Sequence, residues 1–381
     1  MDFTINQDQQ QLADALRRWL DKNYSFEQRR AIIHSDSSVS QSAWDGLVEL
    51  GLTALPLPGD VGGFDGSTAD MLPVMQELGR ALLVEPYFAT IWGARFLVLG
   101  GAHRQQLEQV AEGRLRLACA LGERQARHDL HDIVTTAVAN GAGFVLDGEK
   151  TVVLHGAQAG SLVVSARSSG GQHDQDGISL FLVPADAPGV TLRDCRTIDG
   201  QRAATVTLVQ VVLGSEALVG QAGQGWELLD AALDYGAALL CAEAVGAMDA
   251  LLGATLEYLK TRQQFGAPIG KFQALQHRMA DMFIHLEQAR SMAMLAAFNA
   301  DSSDAAERRS AVSAAKARVS QAATFVGQQA VQLHGGMGVT DELPAAHHFK
   351  RLSMIALGLG DAQHHLERFI AQPGFLPVVS A

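Results

Sequence analysis

The spacing of apolar residues changes twice along the chain, and this change constrains the fold more than any other feature. Residues 1–116 carry apolar side chains at helical spacing. Residues 117–213 carry short Val-, Leu- and Thr-rich runs broken by turn residues, and residues 214–381 return to long Ala- and Leu-rich stretches. A period near 3.6 is typical of helices, and short runs between turns are typical of strands. The order predicts an α+β protein with an N-terminal helical domain, a middle antiparallel β-domain and a C-terminal four-helix bundle.

Local signals predict where individual elements begin and end. Thr68 opens a long helical stretch in the first domain. Ser161–Ser165 and Ile178–Val183 are apolar runs that predict two strands. The glycine- and aspartate-rich segment 170–177 between them predicts a surface hairpin loop.

Composition limits the class of protein. The chain has 381 residues, 48% of them apolar, and a net charge of −12. It can bury cores for two or three domains, and its acidic balance argues against binding nucleic acid. No basic segment followed by an apolar stretch opens the chain, and no apolar run has membrane-spanning length, so we expect a cytoplasmic protein without membrane insertion. Cys119, Cys195 and Cys241 are widely spaced, which predicts buried thiols rather than a disulfide or a metal site.

Arg262-Gln263-Gln264-Phe265-Gly266 is the first motif that helix packing does not explain. A guanidinium suits phosphate and stacking, and an aromatic residue three positions later on a helix would lie on the same side. Gly266 and Pro268 predict the end of the helix, and Gln273 begins the next one. The alternative interpretation is a helix end followed by a surface ion pair.

Gln332-Leu333-His334-Gly335-Gly336-Met337-Gly338 is the stronger motif. Paired glycines have no Cβ, so their backbone N–H groups can approach a phosphate closely. The alternative is a glycine-rich helix stop without a ligand.

The two motifs together, on successive helices, resemble the acyl-CoA dehydrogenase family, and the similarity covers essentially the whole chain. The family holds FAD between its β-domain and its bundle, with the adenine end reaching a neighbouring subunit. The resemblance implies that six residues contact the adenine and pyrophosphate of a neighbour's FAD: Arg262, Phe265, Gln273, Gln332, Gly335 and Gly336. It also implies an acyl-CoA substrate, an electron-transfer flavoprotein as electron acceptor, an oligomer such as a dimer of dimers, and a role in fatty acid or steroid catabolism.

Residues 120–129 resemble the family's first flavin loop, with departures. Leu121 matches, but the family threonine that contacts the flavin is Gly122. Arg124, Arg127 and His128 replace the family's proline, glycine and serine. These three residues either attract a phosphate of CoA or are simply solvated.

Residues 148–156 resemble the family strand that runs beside the flavin. The family tryptophan is Val152, and the threonine that bonds near flavin N5 is Leu154. Backbone amides around Val153 and Leu154 could still serve the flavin ring. An ordinary core strand is the competing interpretation.

The catalytic glutamate of the family is missing. The reaction needs a base within reach of the substrate α-carbon. The usual family position is Leu359 here, and the position used by other members is Gly236. Asp361 is expected to cap a helix rather than to act as a base. Asp234 and Glu243 lie two positions and two turns from Gly236, so the catalytic residue stays unknown.

Three hypotheses follow from this pattern. In the first, the chain is the small subunit of a two-gene acyl-CoA dehydrogenase of the pimeloyl-CoA or steroid side-chain type, and another subunit supplies the glutamate. In the second, it is a flavin- or CoA-binding scaffold without dehydrogenation of its own. In the third, it is a homo-oligomeric enzyme with an unusual base.

Overall fold

A computed structural model describes residues 6–373. The helices among them, in chain order, are α1 (Gln7–Asn23), α2 (Phe26–His34), α3 (Gln41–Glu49), α4 (Thr68–Ala81), α5 (Tyr87–Gly100), α6 (Arg104–Ala111), α7 (Trp226–Thr261), α8 (Gln273–Asn299), α9 (Ala305–His334), α10 (Pro344–Leu357) and α11 (Ala362–Ile370). The strands are β1 (Leu117–Ala120), β2 (Thr136–Asn140), β3 (Gly143–Leu154), β4 (Ser161–Arg167), β5 (Ile178–Pro184), β6 (Val190–Arg196), β7 (Arg202–Gly214), β8 (Gln263–Gln264) and β9 (Ala267–Pro268). The predicted order of helical, β and helical regions is confirmed.

The described chain divides into two compact units. The helical unit comprises the described parts of Met1–Arg30, Ser67–Leu83 and Ala237–Ala381, and the sheet unit comprises Ala31–Gly66 and Val84–Gly236. The domain boundaries predicted at residues 117 and 214 remain a prediction.

Helix α9 is the centre of the helical unit and packs against α8, α10 and α11. Small side chains fill much of this core, including Ala237, Ala296 and Ala315. A Cβ on Gly79 of α4 would lie 2.0 Å from the carbonyl oxygen of Glu243 of α7, so α4 and α7 approach backbone to backbone. Such close packing of long helices confirms the predicted C-terminal helical bundle.

The sheet unit is built on one seven-stranded sheet in the order β1-β4-β2-β3-β7-β6, with β5 also paired to β4. Four pairings are antiparallel, whereas β1–β4 and β2–β4 are parallel. Strands β4 and β5 form an antiparallel pair, which confirms the hairpin loop predicted between them. The buried face carries Leu146, Phe181, Val206 and their neighbours, so β3 and β7 are held at the centre of the sheet.

Helix α7 is the one described helix that has the length and apolar composition of a membrane span. In its most apolar 18-residue window, 72% of the residues are buried within the protein. The core helix of a folded protein meets the same two criteria, so this is weak evidence for a membrane segment.

Candidate functional site

The segment after α7 forms a small β-hairpin rather than a continuation of the helix. Helix α7 ends at Thr261, and β8 and β9 then pair antiparallel. Phe265 (φ +52°) and Gly266 (φ +78°) occupy the turn, and positive φ at both central positions is typical of a tight two-residue hairpin. The expectation that Arg262 and Phe265 share one helix face is therefore wrong, because the hairpin begins where the helix stops.

The ring of Phe265 stands at the tip of this hairpin with 92% of its surface exposed. It meets the ring of Phe272 edge-on, at 6.0 Å between centroids. A ring this exposed buries little area within its own chain. It is therefore available to stack on a planar ligand or to be covered by another chain.

Gln273 is the first residue of α8 and is exposed, as the sequence predicts. The N-cap residue Phe272 gives the helix no side-chain hydrogen bond. The first N–H groups of a long helix lack intrahelical partners, and the aligned peptide dipoles favour negative charge there. The amide of Gln273 and this helix end together form a polar surface beside the hairpin.

The Gly335–Gly336 turn follows α9 and leaves its backbone open. Gly335 has φ +62° and ψ −143°, a conformation suited to glycine. A Cβ on either Gly335 or Gly336 would meet nothing within 4 Å. Intramolecular packing therefore does not require glycine at Gly336, and the space beside both residues is free for a ligand. Gln332, one turn before them, is also exposed.

Gly338 of the same motif is a glycine for a different reason. A Cβ there would lie 2.7 Å from the carbonyl oxygen of Val331, so this glycine is required by the packing of the turn on α9. The motif thus joins one structural glycine to two positions where a missing side chain leaves a cradle. Such a cradle suits a phosphate approached by backbone N–H groups.

The segment of the sheet unit that resembles the first flavin loop, residues 120–129, can offer a ligand backbone groups at Leu121 and Gly122 but no side-chain hydrogen bonds from these two residues. The side chain of Leu121 is buried. The carbonyl of Gly122 accepts a hydrogen bond of 2.8 Å from the amide of Thr151, which ties this loop to β3. A Cβ on Gly122 would lie 3.6 Å from the carbonyl oxygen of Thr151, which is an ordinary contact distance. The site therefore has room for a larger residue than glycine.

Strand β3 has a bulge within residues 148–156, the segment that resembles the family strand beside the flavin. Its register with β7 shifts between Lys150 and Val153, and Val152 has φ +53° with 65% of its surface exposed. Bulges of this kind re-aim side chains and are frequent beside active sites. Val153 is buried and Leu154 is half-buried, so Val153 can contribute only through its backbone and Leu154 cannot donate a side-chain hydrogen bond.

A buried ion pair links these two segments. The Nζ atom of Lys150 donates to Oε1 of Glu123 at 2.7 Å, to the carbonyl of Leu121 at 3.2 Å and to Oγ of Ser165 at 3.0 Å. Glu123 also accepts the amide of Thr135 at 3.1 Å. The pair therefore fixes the carbonyl of Leu121 against the start of the β3 bulge.

Burial and pairing shift the pKa of both partners. Burial alone would raise the pKa of Glu123, but the Lys150 charge and the donated hydrogen bonds outweigh it and lower that pKa to about 2. Burial lowers the pKa of Lys150 to about 8, against the opposing attraction of Glu123. Both groups are ionised at neutral pH.

The two arginines of the first flavin loop are both exposed. Arg124 is exposed and pairs with Glu149 at 3.2 Å. Arg127 is exposed and has φ +50°. The solvated interpretation is therefore the better supported one for Arg124, whose charge already has a partner.

The usual base position lies in a rigid turn between α10 and α11. Leu359 has φ +55°, and its carbonyl accepts Nε2 of His365 at 2.9 Å. Asp361 caps α11 by accepting the amide of His364 at 2.8 Å, which confirms its predicted role as a cap. Beneath the turn, Lys316 is buried.

Lys316 is held by three acceptors. Its Nζ donates to the carbonyls of Gly360 at 2.9 Å and Ile355 at 3.0 Å, and to Oγ of Ser320 at 3.1 Å. Burial lowers the pKa of Lys316 to about 8, partly opposed by Cys241 and Asp361. The turn that holds Leu359 is therefore anchored by a buried cation.

Lys316→Met should change how stability depends on alkaline pH. The folded pKa of Lys316 lies below its unfolded value near 10.4, so the unfolded chain binds more protons between pH 8 and about 10.4. Lys316 should therefore add up to about 3 kcal/mol to the free energy of unfolding of the helical unit over this window, and the variant should lack that contribution. Denaturant unfolding of both proteins across the window measures the difference. Identical pH profiles would contradict the assignment, and contributions from Lys150 cancel because both proteins retain it.

Glu243, one of the two carboxylates near the second base position, is paired with an arginine. Both oxygens of Glu243 accept from Arg351, from Nε at 2.6 Å and from Nη2 at 2.7 Å, and both side chains are buried. Breaking such a bidentate pair would leave a buried charge. Asp234 is buried on α7. The Glu243–Arg351 pair agrees with the expectation that Glu243 does not serve as the base, and the expectation for Asp234 stays a prediction.

Sequence reasoning missed the two buried lysines. Lys150 and Lys316 both interrupt apolar periodicity, one in Gly-Glu-Lys-Thr-Val and the other in Ala-Ala-Lys-Ala. A charge on an apolar face signals a buried partner. The acceptors that satisfy each lysine lie far away in sequence, so the signal does not say which residues they are.

The helical unit fits a dinucleotide better than the sheet unit fits a flavin ring. An exposed ring at Phe265, the guanidinium of Arg262 and the open turn at Gly335 and Gly336 supply stacking, charge and backbone approach. In the sheet unit, Gly122 and Leu154 supply no hydroxyl where family members have threonine. The helical unit thus offers groups suited to an adenine and a phosphate, whereas the sheet unit lacks two of the family's hydroxyls.

Comparisons with known proteins identify the family. Three family models match the chain: "Acyl-CoA dehydrogenase, N-terminal domain" over residues 6–109, "middle domain" over residues 118–211 and "C-terminal domain" over residues 223–372. The mitochondrial short-chain specific acyl-CoA dehydrogenase of Bos taurus is 31% identical over 326 residues, covering 83% of this chain and 78% of the relative.

Two solved structures are also similar over nearly their full length. A Tcur3481–Tcur3483 steroid ACAD variant has 30% identity and a TM-score of 0.87, covering 96% of this chain and 97% of its own. The ChsE4–ChsE5 complex from Mycobacterium tuberculosis has 25% identity and a TM-score of 0.87, with 97% of each chain covered. The chain belongs to the acyl-CoA dehydrogenase family, whose members are oxidoreductases that use FAD.

Proposed function

We propose that the chain is the subunit without a catalytic glutamate in a heteromeric, FAD-dependent acyl-CoA dehydrogenase. The observation that carries the proposal is Leu359, an apolar residue built into the anchored turn at the family's base position. Removal of the substrate α-proton requires a base. Glu243 is paired with Arg351 and Asp361 caps a helix, and in the proposal another subunit supplies the base.

FAD, when bound, supplies the hydride acceptor for α,β-dehydrogenation. In the proposal, Arg262 offers its guanidinium to the pyrophosphate and Phe265 packs on the adenine. Gln273 and Gln332 donate side-chain hydrogen bonds, and the backbone of Gly335 and Gly336 faces the phosphates. Leu121, Val153 and Leu154 flank the chain's own ring site and exclude water from it.

Two similar structures support the heteromeric form. The names Tcur3481–Tcur3483 and ChsE4–ChsE5 each join two proteins, and the first is described as a steroid ACAD. A steroid or fatty acyl-CoA thioester is accordingly the proposed substrate class. We also propose an electron-transfer flavoprotein as acceptor, a dimer of dimers as assembly, a cytoplasmic location, and folding domains of residues 1–116, 117–213 and 214–381.

A scaffold role is the second candidate function. The observation that favours it is the loss of two hydroxyls, at Gly122 and Leu154, from the segments that resemble the flavin-ring site. A scaffold would bind FAD or CoA in the complex without changing its turnover.

Co-expression with a glutamate-bearing paralogue tests the assembly. A tagged form of this chain should retain the paralogue at equal stoichiometry, with FAD in the complex. Purification of this chain alone, as a homo-oligomer in the presence of the paralogue, would contradict the proposal.

Leu359→Glu tests whether the catalytic base is the one part of an active site that this chain lacks. Leu359 is partly exposed, and its positive φ is equally unfavourable for leucine and for glutamate. The free energy of unfolding should therefore change by less than about 1 kcal/mol. The variant alone should still not oxidise acyl-CoA, since the ring site is also altered. Turnover that appears with this single change would show that the chain's own site is otherwise complete and would argue against a dependent subunit.

A further inference from the structure

One residue of the helical unit is bonded to both motifs, to one through its backbone and to the other through its side chain. Tyr258 lies in the last turn of α7, one turn before Arg262, and its carbonyl accepts the amide of Arg262 at 2.8 Å. Its hydroxyl donates to the carbonyl of His334 at 3.3 Å. His334 immediately precedes Gly335, so Tyr258 is hydrogen-bonded to the start of the hairpin and to the start of the glycine turn.

The ring of Tyr258 also stacks on the ring of His334. Their centroids lie 4.5 Å apart and their planes differ by 28°. Nδ1 of His334 lies 2.8 Å from the carbonyl of Ala330. Because a carbonyl can only accept, Nδ1 carries a proton and the imidazole orientation is fixed. His334 is buried and Tyr258 is partly buried.

Neither the ring stack nor the hydrogen bond of the Tyr258 hydroxyl is needed to end α9. The amide of Gly335 already closes α9 by donating to Gln332, and Gly338 is already required by packing. The stack and the hydroxyl bond instead fix how α7 and α9 end relative to each other. That relation sets where the backbone of Arg262 lies relative to the open backbone at Gly335 and Gly336.

We infer that Tyr258 and His334 are positioning residues that hold the end of α7, which Arg262 follows, and the glycine turn in one fixed relation for a dinucleotide phosphate group. The inference rests on the proposed cofactor role of these motifs. It assigns a function in ligand affinity to two residues that have no exposed reactive group. Preorganised anion sites bind more tightly because less ordering remains to be done on binding.

Three variants at Tyr258 and one distant control test the inference. FAD affinity of the apo-protein, in the oligomer in which it purifies, is measured together with its thermal unfolding. Tyr258→Leu removes ring and hydroxyl and should weaken FAD binding at least tenfold. Tyr258→Phe keeps the ring and should weaken it by about two- to fivefold, which is the loss of one modest hydrogen bond. Tyr258→Trp keeps a stacking ring and should fall between them.

The control is Phe26→Leu, which removes a different aromatic contact with a histidine of the helical unit, His347. It should lower thermal stability about as much as Tyr258→Leu while leaving FAD affinity unchanged. Equal FAD affinity in Tyr258→Leu and the wild-type protein would overturn the inference. Gly336→Asp, measured in parallel, separates the two ideas: if it too leaves affinity unchanged, the proposed cofactor role itself is wrong.

Discussion

Gly336→Asp should weaken FAD binding by at least tenfold, about 1.4 kcal/mol, without changing the thermal stability of the protein. The reason is specific to this position. A side chain at Gly336 meets no atom within 4 Å, so the folded chain accepts it. The added carboxylate then fills the cradle and repels the phosphates by like charge. Bound flavin absorbance and titration of the apo-protein measure the effect.

Two comparisons isolate the cause of this loss. Gly253→Asp adds the same charge at an exposed position of α7 where a Cβ also meets nothing within 4 Å, and it should leave FAD binding unchanged. Gly335→Asp should lower both affinity and stability, because φ +62° with ψ −143° strains any residue with a Cβ. Arg262→Ala should lower FAD occupancy by removing the guanidinium. Unchanged flavin content in Gly336→Asp, Gly335→Asp and Arg262→Ala would contradict the cofactor assignment.

Glu123→Gln should reduce the free energy of unfolding of the sheet unit by about 3–5 kcal/mol. The substitution leaves the buried ammonium of Lys150 without its counter-charge, at the point where the first flavin loop is tied to β3. A loss of this size is a large part of the stability of an ordinary domain. Denaturant unfolding at neutral pH, followed by sheet-sensitive circular dichroism, measures it.

The stabilisation by Glu123 should disappear in acid. Its folded pKa of about 2 lies below the unfolded value near 4.3, so the contribution is complete above about pH 4.3 and is lost as pH falls towards 2. The linkage amounts to about 3 kcal/mol. The difference in stability between the wild-type protein and Glu123→Gln should therefore shrink across this window. A difference that stays constant down to pH 2 would show that Glu123 is not the titrating group.

Matched variants separate the buried pair from general effects of charge removal. Glu123→Met combined with Lys150→Met removes both ions and should cost less than Glu123→Gln alone, because no buried charge is left unpaired. Arg124→Ala breaks the exposed pair with Glu149 and should change stability by less than about 1 kcal/mol. A double variant that is less stable than Glu123→Gln would contradict the ion-pair explanation.

The sequence predicted the features that depend on neighbouring residues. The start of α4 at Thr68, the start of α8 at Gln273 and the capping role of Asp361 are set by turn and cap signals within a few positions. The order of helical and β regions also follows from local periodicity. These predictions hold because each rests on contacts within one or two turns of the chain.

Features that depend on distant partners could not be predicted in the same way. Lys150 meets Glu123 from 27 residues away, and Lys316 meets Gly360 from 44 residues away. The parallel pairing of β1 with β4 likewise depends on where the chain returns after β2 and β3. The hairpin at Phe265 was mistaken for helix because Arg262 and Phe265 also have helical spacing, and the paired positive-φ residues at its tip decide the geometry.

Oxidation of acyl-CoA by purified proteins tests the central claim most directly. A series of fatty acyl- and steroid-CoA thioesters is offered, with an artificial electron acceptor, to this chain alone and to its complex with a glutamate-bearing paralogue. We predict no turnover by the chain alone and turnover by the complex. Changing the paralogue's catalytic glutamate to glutamine should abolish that turnover. Steady turnover by this chain without any partner would contradict the account.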